Sequence, residues 1–544
     1  MAGVFIGIDV GTSSARAGLF DSKGALLAAN KCPIEIWREP GNIVEQSSDD
    51  IWRACATAVR TAMADAKIAA SEVAGIGFDA TCSLVVLNEI GRPVSVSSSG
   101  DAKRNVIMWM DHRAVAEARA IDETGDDVLD FVGGKISPEM EIPKLLWLKT
   151  NLPKAFRSAG HFFDLTDFLS WRSTGSLARS NCTVTCKWMY LAHERRWSDT
   201  FLSAVGLDEF VAEAHQRIGQ EIAMPGTALG SGLTTKAAAD FGLLPGTPVA
   251  AGLIDAHAGG VGTLGGRAVD GTPGDPTARL GYIMGTSACV MATTAEPMFV
   301  RGVWGPYYSA MMPGLWLNEG GQSTAGAAID HLVRSHAAYP QAVAEARSAG
   351  VGVLDYLEAR IAQRTGTVSE VALIARDRHI LPDLLGNRSP CADPDVRGVI
   401  AGLSIENTIR DLEVHFVAGL CGLAYGLAEV IEALNPEGIK SRHMVASGGA
   451  SHSRLTRQIL ADATGNVVVL PDTPEPVLLG AAILGAVAAH RYESLVAAMA
   501  NMSRDGNVTD PTPSEVAEFH SRKRAVHEML RKLESKTRAA MRPN

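Results

Sequence analysis

Two distant segments of this 544-residue chain carry the same pattern, and that repetition limits the folds open to it more than any other feature. In the first, the apolar run Val4-Phe5-Ile6-Gly7-Ile8 ends at Asp9, turns through Gly11-Thr12-Ser13-Ser14 and resumes as Arg16-Ala17-Gly18-Leu19-Phe20. In the second, Ala278-Arg279-Leu280-Gly281-Tyr282-Ile283-Met284 runs into Gly285-Thr286-Ser287 and leaves as Ala288-Cys289-Val290-Met291-Ala292. Short apolar runs bounded by glycine turns predict buried strands. A strand-turn-strand unit opening each half predicts two similar domains facing each other across a cleft. Length agrees, because one hydrophobic core seldom serves so many residues. The Gly/Pro-rich stretch 265–277 is the natural crossing, so the domains are expected at 1–260 and 261–544.

Between these anchors, a third strand is expected over Ala25–Ala29, a helix over Ile51–Ala66 and a strand over Val73–Phe78. Residues 371–393 read as mixed strand and loop, and Thr408–Leu434 as a long helix with small residues on one face. Val477–Ala489 is too short to span a bilayer and predicts a buried helix. Ser514–Met541 is amphipathic and highly charged, the pattern of a solvated helix lying on its domain. With 46% apolar and 20% charged residues the chain reads as a soluble globular protein. A net charge of −10 and a pI near 5.8 argue against nucleic acid as a partner, and nothing suggests a membrane. Eight scattered cysteines without a Cys-x-x-Cys pair read as reduced thiols. The N-terminal run reaches Asp9 with no basic segment, so no signal peptide is expected and the location is expected to be cytoplasmic. The sequon at Asn507 then carries no glycan.

A Gly-Thr-Ser turn offers backbone N–H groups and two hydroxyls to a phosphate, so Gly11, Thr12, Ser13, Gly285, Thr286 and Ser287 are candidate phosphate ligands; no Walker loop is present. A plain hairpin turn is the bland alternative for each. Asp9, at a buried strand end beside such a turn, is placed to hold Mg²⁺ through water. The apolar strand into Ser447-Gly448-Gly449-Ala450 gives a glycine turn against which a flat base can lie. Asp255, after the apolar run Val249–Ile254, is a candidate general base, with helix N-capping as its alternative. The literal Gly-x-Gly-x-x-Gly at residues 260–265 is set aside as a dinucleotide fingerprint, because Asp255–Ala258 separates it from the strand.

Taken in order, Asp9–Arg16, Gly285–Ala288 and Ser447–Ala450 resemble the two phosphate motifs and the adenosine motif of the ATPase core shared by actin, Hsp70 and sugar kinases. Trp109-Met110-Asp111-His112-Arg113-Ala114, Pro143–Leu148 and Ala251–His257 narrow the resemblance to the FGGY carbohydrate kinases. It implies an α/β fold of two actin-like (ribonuclease H-like) domains, ATP and Mg²⁺ as cofactors, and a small sugar as partner, with a homodimer allowed for. By resemblance, Asp255 is the catalytic base and shares the metal with Asp9. Arg16 and Gln322 join the two turns and Gly448, Gly449 and Ala450 on ATP. Trp109, Asp111, Lys187 and Glu319 join Asp255 on the sugar. The segment Asp79–Leu87 is similar to the branch that phosphorylates D-ribulose, which adds Thr81 and Ser83 and implies D-ribulose 5-phosphate as product. The alternatives are an L-ribulokinase, a xylulokinase, a ribitol or glycerol kinase, and, from another class, a non-catalytic actin-like sugar-binding regulator.

Overall fold

Both strand-turn-strand units form β-hairpins: Val4–Val10 with Ser14–Phe20, and Arg279–Met284 with Ala288–Thr294. These are elements of a computed structural model that describes residues 3–435, 438–439, 441–513 and 515–541. The chain divides into two units, the first comprising residues 1–276, 293–318 and 471–505, the second 277–292, 319–470 and 506–544. The single division expected near residue 260 differs from this partition, because two later segments return to the first unit.

In the first unit, Val4–Val10 runs antiparallel to Ser14–Phe20, which continues antiparallel to Leu26–Pro33. On its other side it runs parallel to Val73–Ala80, and that strand runs parallel to Leu253–Ile254. Strand side chains alternate between faces. Val4, Ile6, Ile8 and Val10 therefore join one core with Ile51, Trp52, Cys55, Ala58 and Val59 of the helix Ser48–Ala66. Ser47 caps that helix by accepting from the Asp50 amide, and Asp49 and Asp50 complement its N-terminal dipole.

The opposite face has a different solution. A Cβ on Gly7 would lie 1.9 Å from the Leu478 carbonyl oxygen, and one on Gly77 1.9 Å from that of Ala481. Both glycines are required by contact, since only their bare backbone lets the buried helix Pro476–Ala488 rest directly on the strands. The same helix accounts for the Gly-x-Gly-x-x-Gly: a Cβ on Gly262 would meet the Pro476 carbonyl at 2.0 Å, so this is packing. A second sheet in this unit orders Trp37–Glu39, Ile43–Gln46, Val106–Ile107, Leu84–Leu87 and His161–Asp164, all antiparallel.

The second unit repeats the plan. Arg279–Met284 pairs parallel with His443–Ser447, and the latter with Val467–Pro471. Its long helix, Ile409–Leu434, is apolar and long enough to cross a membrane by length and composition alone, yet most of it is buried inside the protein. Residues 371–393 hold a 3₁₀ turn, Ser369–Ala375, and a short strand, His379–Leu381. The C-terminal helix Glu515–Met541 is more firmly seated than its charge pattern suggests: Val516, Phe519, His520 and Lys523 are buried, and Lys523 Nζ donates to the Arg378 carbonyl at 2.8 Å. Ser514 lies outside the described residues.

Candidate active site

Three parallel strands of the first unit bring three carboxylates to one end. Asp9 lies directly opposite Asp79 in register, and Leu253 opposite Asp79 on the far side, so Asp255 follows one residue after its strand Leu253–Ile254 ends. Asp9 is almost fully buried and does not stand alone: Arg16 Nε donates to its Oδ2 at 2.8 Å, and Arg16 Nη1 donates to Glu475 Oε2 at 2.8 Å. Arg16 thus neutralises two acids and is held beside the first turn.

Asp79 is the residue that sequence reasoning missed. It is wholly buried, and as a carboxylate it would meet no donor at either oxygen. Burial first, then the charge on Asp9, push its carboxyl well above the usual carboxylate range, which favours its protonated form. A signal was there to be read, because an apolar run ending in Asp occurs at Ile8-Asp9, Phe78-Asp79 and Ile254-Asp255.

Asp255 is half-buried and is the first residue of the helix Asp255–Val261; its Oδ1 accepts from the Ala256 amide at 2.7 Å. The N-cap position belongs to Ile254, so Asp255 serves the first turn from its first residue, through the Ala256 amide.

Part of the predicted sugar set assembles as a hydrogen-bonded chain. Thr81 Oγ1 and Ser83 Oγ are 3.2 Å apart, Ser83 Oγ accepts from the Trp109 amide at 3.1 Å, and Trp109 Nε1 donates to Thr12 Oγ1 at 3.2 Å. Gln46 Nε2 fixes the same turn through the Thr12 carbonyl at 3.0 Å. Lys187, buried at the end of the helix Asn181–Lys187, sets its ammonium 4.4 Å over the Trp304 ring. Nearby, Glu141 pairs with the buried Lys144 at 3.3 Å; burial nonetheless raises Glu141 to about 7.

Asp111 has a different place from the one expected. It is wholly buried, its Oδ1 accepts from the Arg113 amide and Nε, and its Oδ2 from the Val44 amide and Arg113 Nη2, all between 2.7 and 2.9 Å. Four donors fill its lone pairs. The carboxylate is an anchor for the loop behind Trp109, and its assignment as a sugar contact is corrected accordingly.

In the second unit, Gly285 and Thr286 are exposed at the hairpin tip and Ser287 is half-exposed; the Gly285 amide closes on the Ser287 carbonyl at 2.9 Å. The Gly285 and Thr286 carbonyls accept from the Gly326 and Ala325 amides, both at 2.9 Å, which stiffens the turn. Gly448 has φ +94°, and a Cβ there would lie 2.4 Å from the Met284 carbonyl. Glycine is therefore demanded at position 448 by the strand that feeds the Gly285–Ser287 turn. Gly449 faces open space and Ala450 is half-exposed. Glu319 is buried in this unit, with the Cys289 Sγ 3.9 Å from its Oε1. Gln322 is a correction: its Oε1 accepts from Tyr282 Oη and its Nε2 donates to the Leu423 carbonyl, each at 2.9 Å. Both ends are committed to the core between strand and long helix, which leaves a structural role in place of an ATP contact.

Comparison with known proteins adds to this geometry. The N-terminal domain of the FGGY family of carbohydrate kinases matches residues 4–262 and its C-terminal domain residues 280–489. A human FGGY carbohydrate kinase domain-containing protein is 46% identical over 93% of this chain and 92% of its own length. The D-ribulokinase of Saccharomyces cerevisiae is 36% identical over 90% of this chain and 72% of its own. A ligand-bound xylulose kinase from Lactobacillus acidophilus, 19% identical, superposes with a TM-score of 0.78 over 97% of this chain and 98% of that one.

Proposed function

The chain belongs to the FGGY family of carbohydrate kinases, and from that premise we propose that this sugar kinase transfers the γ-phosphoryl group of ATP to the terminal hydroxyl of D-ribulose, giving D-ribulose 5-phosphate. The observation that carries the choice of sugar is the Thr81–Ser83–Trp109–Thr12 chain, which ties the Thr-Cys-Ser segment and the indole to the first phosphate turn. The similarity to a yeast D-ribulokinase supports the same acceptor.

Asp255, half-buried at the start of its helix, takes the proton from the attacking hydroxyl. The alkoxide oxygen bonds to the γ-phosphorus as its bond to the β-γ bridging oxygen breaks, and ADP leaves. Trp109 offers an apolar face to the sugar carbons, while the buried Lys187 supplies a cation for a hydroxyl. Thr12 and Ser13 in the first unit, and Thr286 and Ser287 in the second, offer hydroxyls to phosphate oxygens, while the Gly11 and Gly285 amides close their own hairpins. Asp9 and Asp255 present carboxylate oxygens, the donor type a hard cation takes, and Arg16 already occupies Asp9 Oδ2. Asp9 and Asp255 would hold Mg²⁺, which supplies charge neutralisation on the phosphates. A cytoplasmic setting, in keeping with unbridged cysteines, is part of the same proposal.

The test is ADP release over D-ribulose, L-ribulose, D-xylulose, ribitol and glycerol at matched concentrations. D-ribulose should give the highest kcat/KM. Turnover no faster than with D-xylulose or glycerol would refute the assignment.

A further inference from the structure

Behind the Asp255 helix lies a group of side chains that phosphoryl transfer does not use. Cys182 and Cys186 stand four residues apart on the helix Asn181–Lys187, so both thiols project from one face. His257 stands on the first turn of the facing helix Asp255–Val261, its Nδ1 3.1 Å from Cys182 Sγ. The three donor atoms all lie within 4.8 Å of one another, and none of the three residues is exposed to solvent.

We propose that Cys182, Cys186 and His257 form a binding site for a soft divalent cation of the Zn²⁺ type, clamping the helix that begins with Asp255 to the helix that ends with Lys187. Donors at Zn–S distances of about 2.3 Å and Zn–N distances of about 2.0–2.1 Å stand roughly 3.5–4 Å apart, so a sub-ångström adjustment of side chains closes this triad on an ion. Two sulfurs and an imidazole select zinc-like or cuprous ions over Mg²⁺ or Ca²⁺. Three protein ligands leave one position for a small ligand such as water. The local electrostatics agree. Burial opposes a thiolate at Cys182, yet the Cys186 thiol, His257 and the Ile254 amide, which donates to Cys182 Sγ at 3.5 Å, together hold it below the ordinary thiol range. A cysteine already inclined to lose its proton is a ready metal ligand. The inference does not depend on which sugar is phosphorylated.

The alternative is that the three side chains are core packing joined by a sulfur–imidazole hydrogen bond, and the two readings part on metal uptake. The experiment uses the full chain with Cys32, Cys289 and Cys391, the three cysteines that are not buried, replaced by serine. Co²⁺ is added under reducing, anaerobic conditions and then displaced by Zn²⁺, with absorbance and thermal midpoint recorded. The expected result is a thiolate-to-cobalt charge-transfer band with tetrahedral visible bands at one ion per chain, and a midpoint raised by Zn²⁺. In the same background, Cys186→Ser and His257→Gln should each weaken Zn²⁺ affinity at least about tenfold against a chromogenic chelator. Far-UV circular dichroism of the metal-free variants shows which are folded, and either folded variant suffices. Absence of the charge-transfer band in the folded parent, or a band of equal strength and affinity in a folded variant, overturns the proposal.

Discussion

Replacing Asp111 separates an anchor from a sugar contact. In Asp111→Asn the side chain keeps its volume, but one of the two accepting oxygens becomes an amide that faces donors. If the remaining oxygen keeps the Arg113 amide and Nε, the bonds from the Val44 amide and Arg113 Nη2 are lost, both of them now 2.7 Å long. Arg113 retains Glu45 Oε1 at 2.7 Å and the Val96 carbonyl at 2.9 Å, so it is not stranded as an unpaired buried charge. That rescue keeps the penalty at the low end of the 3–5 kcal/mol typical of breaking a buried pair outright. The orphaned Val44 amide and one lost charge-assisted bond together cost about 3 kcal/mol. In a unit of more than 250 residues each kcal/mol moves the thermal midpoint by about 2 °C, so the first unfolding transition should fall by about 6 °C. Differential scanning calorimetry reads that shift, and steady-state kinetics well below the transition should show a sugar KM close to that of the parent. An unchanged midpoint with a sugar KM raised tenfold would refute the anchor and restore Asp111 to the substrate.

Asp255→Asn should lower kcat by about 10²–10⁴-fold while leaving sugar binding measurable by calorimetry, and wild-type turnover would remove Asp255 from the role of base. Trp109→Phe deletes the bond to Thr12, worth about 1 kcal/mol, and should cost about fivefold in kcat/KM with little change in stability. Gly7→Ala forces a methyl onto the Leu478 carbonyl and should destabilise the first unit by at least about 1–3 kcal/mol, whereas Gly449→Ala, which meets nothing within 4 Å, should fold normally and raise the KM for ATP. Glu141 holds its proton in the native state up to about pH 7 against 4.5 for the ordinary side chain, so its contribution is present at low pH and lost as pH rises through that interval. Glu141→Gln should flatten the thermal midpoint over the same range.

The parts legible in the sequence were those with local signatures. Both hairpins announced themselves through apolar runs around Gly-Thr-Ser, and the helices Ile409–Leu434 and Pro476–Ala488 through composition and length. The glycine turn after the strand His443–Ser447 was legible for the same reason, since Gly448 sits where that strand stops. What escaped depended on partners far away in the chain. Gln322 reads as polar and available until Tyr282 and Leu423 are seen to occupy both its ends. Asp111 looks like a hydroxyl acceptor until Val44, 67 residues earlier, supplies an amide. Asp79 lay one residue beyond the expected strand end, and only its register with Asp9 shows two acids sharing one site.

The return of residues 471–505 to the first unit bears on the order in which a ribosome delivers this protein. The strands Val4–Val10 and Val73–Ala80 emerge early, but Leu478 and Ala481, whose carbonyls lie on Gly7 and Gly77, emerge some four hundred residues later. Throughout that interval one side of the nascent sheet has no cover, so vectorial folding of the N-terminal half cannot finish before nearly the whole chain has been made. A fragment ending at residue 262 would expose that apolar surface permanently, and expressing it alone should yield aggregate that co-production of residues 471–505 relieves.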